Sequence, residues 1–346
     1  MAALEWMLAA AFVIGVAFGA VGQISGFCLM NGLRGWWCEG DGRGIRAFAL
    51  AVAVAVAGTA AIAAAGWVDL GKSIYRTASV SYPVLIAGGL LFGYGMVLAN
   101  GCGARALVLL GRGNLRSFVV IVCLVIAAQA TLKGVLAPVR QAAQQATALQ
   151  VKLVTLADAV GATGFAAAGA AWAAAVAALL LAGFALAHAP LRASPRHWLG
   201  GLLIGLLIPA GWLASGLLGA DDFEPAPVAS LSFVAPLAEA VLGLMLSTGG
   251  VAAGIGTPVV TGVLVGAFAA ALANGGMQLE GFATPRTMLR YMAGGTLMGI
   301  GGVMALGCSI GQGLSGVSTL ALGSLAAITA LLAGAFVGLR GPLRVG

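Results

Sequence analysis

The chain reads as an all-α polytopic membrane protein: about nine transmembrane helices in an inverted 4+1+4 repeat, with central re-entrant loops. Three observations lead there. Of its 346 residues 61% are hydrophobic and only 8% charged, with a mean hydropathy of +1.06, and no fold in water hides so much apolar surface. The solvent is therefore lipid. The 55 glycines fit the same setting, because close helix approach in a bilayer needs small residues and interrupted helices need backbone freedom. Third, the segment Ala87–Cys102 returns 206 positions later as Ala293–Cys308, with ten identities in sixteen and a Gly-Cys pair closing each copy. A duplicated Gly-rich apolar segment marks a transporter built from internal repeats, with its site where the repeats meet.

Apolar runs of roughly 20 residues, the length that crosses a bilayer, fall at about 6–27, 45–67, 83–101, 115–137, 164–187, 197–219, 250–274, 287–307 and 316–338. The first has no basic n-region and runs into Gly26-Phe27-Cys28 instead of a cleavage site, so it reads as a retained helix. Val228–Ser247 is interrupted by Pro236 and carries Glu239, which makes it a partial or interfacial helix. Residues 138–163, with Gln141, Gln144, Gln145, Lys152 and Asp158, read as an amphipathic connection outside the membrane. The whole of 1–346 is then one transport domain, with halves at about 1–140 and 195–346 joined by a linker helix at about 164–187.

Positive charges set the orientation. With the N-terminus outside and the C-terminus cytoplasmic, the arginines at 34, 43, 46, 105, 112, 116, 192, 196, 286, 290, 340 and 344 all fall inside. Lys72, Arg76, Lys133, Arg140 and Lys152 fall outside, beside the acidic Asp221, Asp222 and Glu224. The bias points to a multi-pass protein of the inner membrane. It also accounts for the basic balance of 17 to 10 without invoking nucleic acid.

The repeated segment forms the third and the eighth span, five crossings apart, and an odd separation means that the copies run in opposite directions. A weaker echo places Ile14-Gly15 and Ser25-Gly-Phe-Cys28 against Ile204-Gly205 and Ser215-Gly-Leu-Leu218. Leu218 stands where Cys28 would recur, so three cysteines converge on the pseudo-two-fold axis. After Cys102 the chain is too short to cross and carries Arg105; after Cys308 it is polar and Gly-rich through Ser309, Gln312 and Ser315. Both stretches read as re-entrant, a backbone tolerated at membrane depth only where protein buries it or a cavity borders it.

A short helix starting after each cysteine points its free N–H groups at the thiol and at any anion beside it. Thiols are polarizable and poorly hydrated, so a ring of them prefers a sulfur-bearing partner to a harder one. The candidate substrate-binding residues are Cys28, Cys102, Cys308, Gly101, Gly103, Gly307, Ser309, Arg105 and Gln312. Arg105 lies one helical turn beyond Cys102, where its guanidinium could clamp two oxygens of an oxyanion; the alternative is a headgroup-facing charge in line with Arg112 and Arg116. Cys123 reads as a small hydrophobe in an apolar helix and Cys38 as incidental. His188 and His197 flank a loop, far in sequence from the thiols, so no metal and no cofactor is expected. The Gly-Tyr-Gly and Gly-Arg-Gly stretches follow no strand and make no phosphate cradle.

Around these residues the chain resembles the YeeE/YedE family of sulfur-transport membrane proteins. The likeness rests on Ser25-Gly-Phe-Cys-Leu-Met-Asn-Gly32, on Gly101-Cys102 through Ser117, and on Gly299–Gly323 with Gly307-Cys308 and Gly-Leu-Ser-Gly316. It implies an hourglass-shaped inverted repeat with one thiosulfate route bordered by three cysteines, which match Cys28, Cys102 and Cys308. Gly103-Ala-Arg105 departs from the commoner small and hydroxyl pattern and bears on the substrate. The expectation is a transporter of thiosulfate or a related small sulfur anion, with no catalytic residues. Alternatives are a permease for selenium compounds or other sulfur oxyanions, and a membrane sulfurtransferase whose persulfide cysteines feed a cytoplasmic carrier of the TusA type.

Overall fold

The computed structural model describes residues 2–151, 153–156, 158, 169–219, 227–245 and 255–344. Its helices are α1 (Ala2–Ser25), α2 (Leu29–Arg34), α3 (Arg43–Ala64), α4 (Tyr82–Leu98), α5 (Gly103–Gly111), α6 (Leu115–Leu132), α7 (Ala137–Ala146), α8 (Gly169–Leu186), α9 (Ala189–Arg192), α10 (Pro195–Leu213), α11 (Val234–Met245), α12 (Gly256–Ala273), α13 (Pro285–Met304) and α14 (Leu322–Leu339). Wider π-helical turns extend α2 to Glu39 and α10 to Leu218, and a third spans Gly311–Gly316. A two-residue pairing of Ser79–Val80 with Leu149–Gln150 is the one sheet among the described residues. Several starts are written locally. The side chains of Ser81, Asn114 and Thr284 accept from the backbone N–H of Val84, Ser117 and Thr287, and Pro83 and Pro285 occupy first turns where a missing N–H costs nothing.

Eight helices among the described residues are long and apolar enough to cross a membrane. The expected span at 287–307 is the 20-residue α13, whose hydropathy is lowered by Arg286, Arg290 and five glycines. The expected span at 164–187 is α8; residues 164–168, the start of the span at 250–274 and the acidic loop 221–224 lie outside the described residues. α8 packs chiefly on α3 and shows Trp172, Leu179 and Leu180 outward, as a helix bordered by lipid does.

Glycines set the helix pairs. A methyl group on Gly15 or Gly19 would strike the carbonyl oxygens of Val259 and Val263, and one on Gly262 or Gly266 those of Phe12 and Val16, so α1 and α12 run parallel in backbone contact. Gly201 and Gly205 bring α10 onto Ala47 and Ala51 of α3 in the same way. Gly89 and Gly93 seat α4 on Ala327 and Leu331 of α14, and Gly295 and Gly299 seat α13 on Val120 and Leu124 of α6. The two copies of the repeated segment cross antiparallel on each other: Gly88 meets Gly301, and Gly95 meets Gly294. With no hydrophobic drive between helices in lipid, such close dispersion contact is the main source of association.

Two sequence expectations change. Pro236 does not interrupt a helix, because α11 begins at Val234 and the proline sits in its first turn. Over the described residues the 12-residue α11 is a partial helix, as expected, and it packs inside the bundle: Phe233, Val234 and Ala238 are fully buried, and Gln129 Nε2 reaches from α6 to donate to the Ala238 carbonyl at 2.6 Å. The expected span at 316–338 starts later, at Leu322, because Cys308–Ala321 is a buried connection rather than helix running to the membrane surface.

Candidate functional site

All three candidate cysteines stand at the start of a helical turn. Cys28 and Cys102 have extended backbone immediately before α2 and α5, and the carbonyls of Cys28, Cys102 and Cys308 each accept the first bond, from Gly32 at 3.0 Å, Ala106 at 2.9 Å and Gln312 at 2.8 Å. The thiols consequently sit at the N-terminal ends. Gly311 N–H donates to Cys308 Sγ at 3.3 Å, and the backbone N–H groups of Asn31 and Arg105 lie beside the Cys28 and Cys102 thiols. All three are free cysteines and are buried, Cys308 completely.

The Cys28 thiol lies against the Cys102 thiol, and the hydroxyl of Ser309 faces Cys102. One cluster thus joins residues from three separated stretches of chain. Cys308 is the residue just before Ser309 in the chain, and Tyr75 is its neighbour. Gln312 is 2% exposed; its Nε2 donates to the Ala305 carbonyl at 2.6 Å, whereas Gln312 Oε1 and Ser309 Oγ find no well-formed hydrogen bond among the described residues. Buried polar atoms in that condition call for a partner. The closing turn of each repeat is also shared: Asn100 and Leu306 both hold left-handed backbone, one residue before Gly101 and Gly307. Gly103 packs on Leu124, and Gly101 lies against the stem of Arg105.

Arg105 is partly buried beside Cys28 and Cys102, and its Nη1 reaches the Gly22 carbonyl at 3.3 Å. It borders a polar cavity of about 210 Å³, to which Arg112 and Arg116 also contribute. The three arginines therefore converge on one space: Arg105 stands both beside the thiols, as the clamp reading has it, and with Arg112 and Arg116, as the alternative groups them.

Several neighbours of the site carry little signal in sequence. Tyr75, in the connection from α3 to α4, stacks edge-on against Trp212, and burial pushes its phenol well above the usual range, so it stays a neutral donor. Arg76 Nη2 donates to the Thr319 carbonyl at 2.9 Å, Trp212 Nε1 to Ser318 Oγ at 3.2 Å, and Ser315 Oγ to the Leu231 carbonyl at 2.7 Å. These bonds fix the polar Cys308–Ala321 segment inside the bundle. The outlying Arg76 was the available cue in sequence, as a cation against the charge bias. Cys123 is half-buried against Gly295, and Cys38 is exposed. Among the described residues no three His, Cys, Asp or Glu side chains converge as a metal site would need.

This geometry can be set beside known proteins. The family model for sulphur transport matches residues 24–337, from the segment just before Cys28 to near the end of α14. The chain belongs to the sulphur transport family. It is 24% identical over 328 residues to the thiosulfate transporter TsuA of Escherichia coli (strain K12), an alignment covering 89% of this chain and 87% of that one. A 65-residue stretch, 19% of this chain, is 46% identical to the thiosulfate transporter TsuA of Spirochaeta thermophila and covers 20% of it. The resemblance drawn from the Gly-Cys motifs therefore holds at family level, and the chain is a multi-pass membrane protein of a sulfur-transporting family.

Proposed function

We propose that this protein imports thiosulfate or a closely related small sulfur anion along a path bordered by Cys28, Cys102 and Cys308. The observation that carries the reading is the buried juxtaposition of the Cys28 and Cys102 thiols with Ser309, whose hydroxyl lacks a well-formed bond. A terminal sulfur suits soft thiols, and the oxyanion end suits the helix-start N–H groups and a nearby guanidinium. An unpaired charge at membrane depth is costly, and Arg105 supplies the fixed opposite sign. Both relatives are named thiosulfate transporters, which supports thiosulfate as the substrate class.

The path runs between two inverted halves, about 1–140 and 195–346, with α8 as the peripheral linker. Support comes from exchanged packing: α1 on α12 answers α10 on α3, and α4 on α14 answers α13 on α6. The N-terminus faces outward, in accord with the arginines gathered at the ends of α2, α5 and α14 and the starts of α3, α10 and α13. No bond to sulfur need form or break, which separates this reading from a persulfide-forming sulfurtransferase.

Uptake of labelled thiosulfate into cells lacking their own importers tests it. Cys102→Ala and Cys308→Ala abolish uptake with membrane insertion intact, Cys28→Ala impairs it severely, and Cys123→Ala leaves it near normal. Normal uptake by the Cys102→Ala, Cys308→Ala double variant overturns the proposed thiol path. A 32 Da sulfur adduct formed in turnover indicates the sulfurtransferase instead.

A further inference from the structure

The polar cavity of about 210 Å³ beyond Gly101 has a composition that the thiol path does not explain. Arg105, Arg112 and Arg116 border it together with Asn31, Asn114 and one carboxylate, Glu280. Glu280 belongs to the connection between α12 and α13, which is strapped across the turn between α5 and α6. Leu115 N–H donates to the Glu280 carbonyl at 3.0 Å, Gln278 N–H to the Arg112 carbonyl at 3.1 Å, and Arg116 Nε to the Gly281 carbonyl at 2.6 Å. The side chain completes the strap, with Oε1 at 2.6 Å from Arg112 Nη2 and Oε2 at 2.7 Å from Asn114 Nδ2.

Each carboxylate oxygen thus has its own donor, a cation on one side and a carboxamide on the other. That is how two oxygens of a tetrahedral oxyanion are received. Arg112 Nε is buried and has no hydrogen-bond partner among the described residues, so donor capacity remains after Glu280 is satisfied. Three guanidinium groups against one carboxylate leave the space with a formal excess of positive charge, and Arg112 and Glu280 are only 24% and 30% exposed, which limits solvent screening.

We propose that this vestibule is a second oxyanion site, selective for charge and shape but not for terminal sulfur, in which Glu280 is a built-in competitor of the passing anion. The anion takes Arg112 and Asn114 from Glu280 on arrival from the thiols. The returning carboxylate displaces it on departure, so an otherwise retentive cluster of arginines does not hold the cargo. The inference rests on the anion-transport reading for its direction of travel, whereas the binding itself does not depend on the cysteines.

The experiment uses sodium sulfate, which lacks a terminal sulfur, and titrates it calorimetrically into the purified full-length protein in detergent. Removing the competing charge in Glu280→Gln tightens sulfate binding by about threefold to tenfold, the range of one partly exposed charge contact. Arg112→Gln weakens binding, and the double variant loses the gain made by Glu280→Gln alone. Glu280→Asp, which keeps the charge but is too short to span both donors, gives a smaller tightening and serves if the glutamine variant fails to fold. Lys133→Gln, at an exposed site away from both the thiols and the cavity, binds sulfate like wild type. Sulfate affinity unchanged in both folded Glu280 variants overturns the proposal. Thiosulfate uptake is measured in parallel: sulfate binding as expected with no sulfur anion imported by wild type overturns the transport reading and leaves the vestibule site standing.

Discussion

Asn100 and Leu306, 206 positions apart, hold the same left-handed backbone, with φ of 55° and 57°. Each ends a helix of the duplicated segment and turns the chain into Gly-Cys, so one backbone break delivers Cys102 and Cys308 to the interior. The two residues bear it unequally. Asparagine tolerates this region well and here also receives a bond from Arg34 Nη1 on its side-chain oxygen, whereas leucine is strained there.

Leu306→Gly is accordingly expected to leave stability unchanged or raise it by about 1 kcal/mol, since relief of a strained φ offsets loss of a side chain already 39% exposed. Asn100→Ala is expected to lower stability by about 1–2 kcal/mol, through both the lost bond and the added strain. Thermal unfolding in detergent, followed by tryptophan fluorescence, reads both. A clear loss of stability in Leu306→Gly shows that Leu306 is held by packing rather than tolerated.

The helix pairs make a second prediction. A side chain at Gly93 meets the backbone of Leu331 and Ala335, which cannot swing aside, while one at Gly183 in α8 meets nothing within 4 Å. Gly93→Val should destabilise by about 3 kcal/mol or prevent assembly, as overpacking of a rigid contact does. Gly183→Ala should be neutral or stabilising by up to about 1 kcal/mol, the helix-propensity gain. Monodispersity on size exclusion, with the melting temperature of each variant, decides; equal behaviour of the two disproves the close α4–α14 packing.

How much of this was legible in the chain follows from which forces write locally. Apolar length and glycine spacing are properties of contiguous sequence, so the helices fall within a few residues of expectation, and the Gly-Cys breaks stand out through duplication. Pro236 misled because a proline reads as a breaker until the helix start is known, and Val234 places it harmlessly in a first turn. The pairing of Arg112 with Glu280, 168 positions apart, and the approach of Tyr75 to Cys308 are long-range contacts with no periodic trace. Even so, Glu280 was visible as one of the few acids, with Glu39 and Asp41, in an otherwise basic set of loops.

Orientation gives the third prediction. In a background without the exposed Cys38, a cysteine at Val135, between α6 and α7, is expected to react with an impermeant maleimide in intact cells. One at Ala193, between α9 and α10, is expected to react only after permeabilisation. Both positions are exposed in the structure, so accessibility to solvent does not limit either reaction. The reverse pattern inverts the protein in the membrane, and labelling of both from outside contradicts the count of crossings between them.

The last prediction concerns Arg105, whose partly buried guanidinium lies beside the two adjoining thiols and is anchored to the Gly22 carbonyl through Nη1. One donor engaged in this way leaves the rest of the planar fork to meet two oxygens of a sulfur oxyanion. Lysine preserves the charge but replaces the fork with a point donor, and glutamine preserves neither. Arg105→Lys should therefore raise the apparent KM for thiosulfate about threefold to tenfold, the loss of one charge-assisted hydrogen bond, with a smaller change in maximal uptake. Arg105→Gln should cost at least tenfold more in uptake efficiency, because an oxyanion at membrane depth then loses its fixed countercharge. Lys133→Gln, at an exposed site beyond α6, serves as the comparison and should be near wild type. If Arg105→Gln shifts KM no more than Lys133→Gln does, the guanidinium does not touch the anion, and the helix-start N–H groups beside Cys28, Cys102 and Cys308 hold the oxyanion end by themselves.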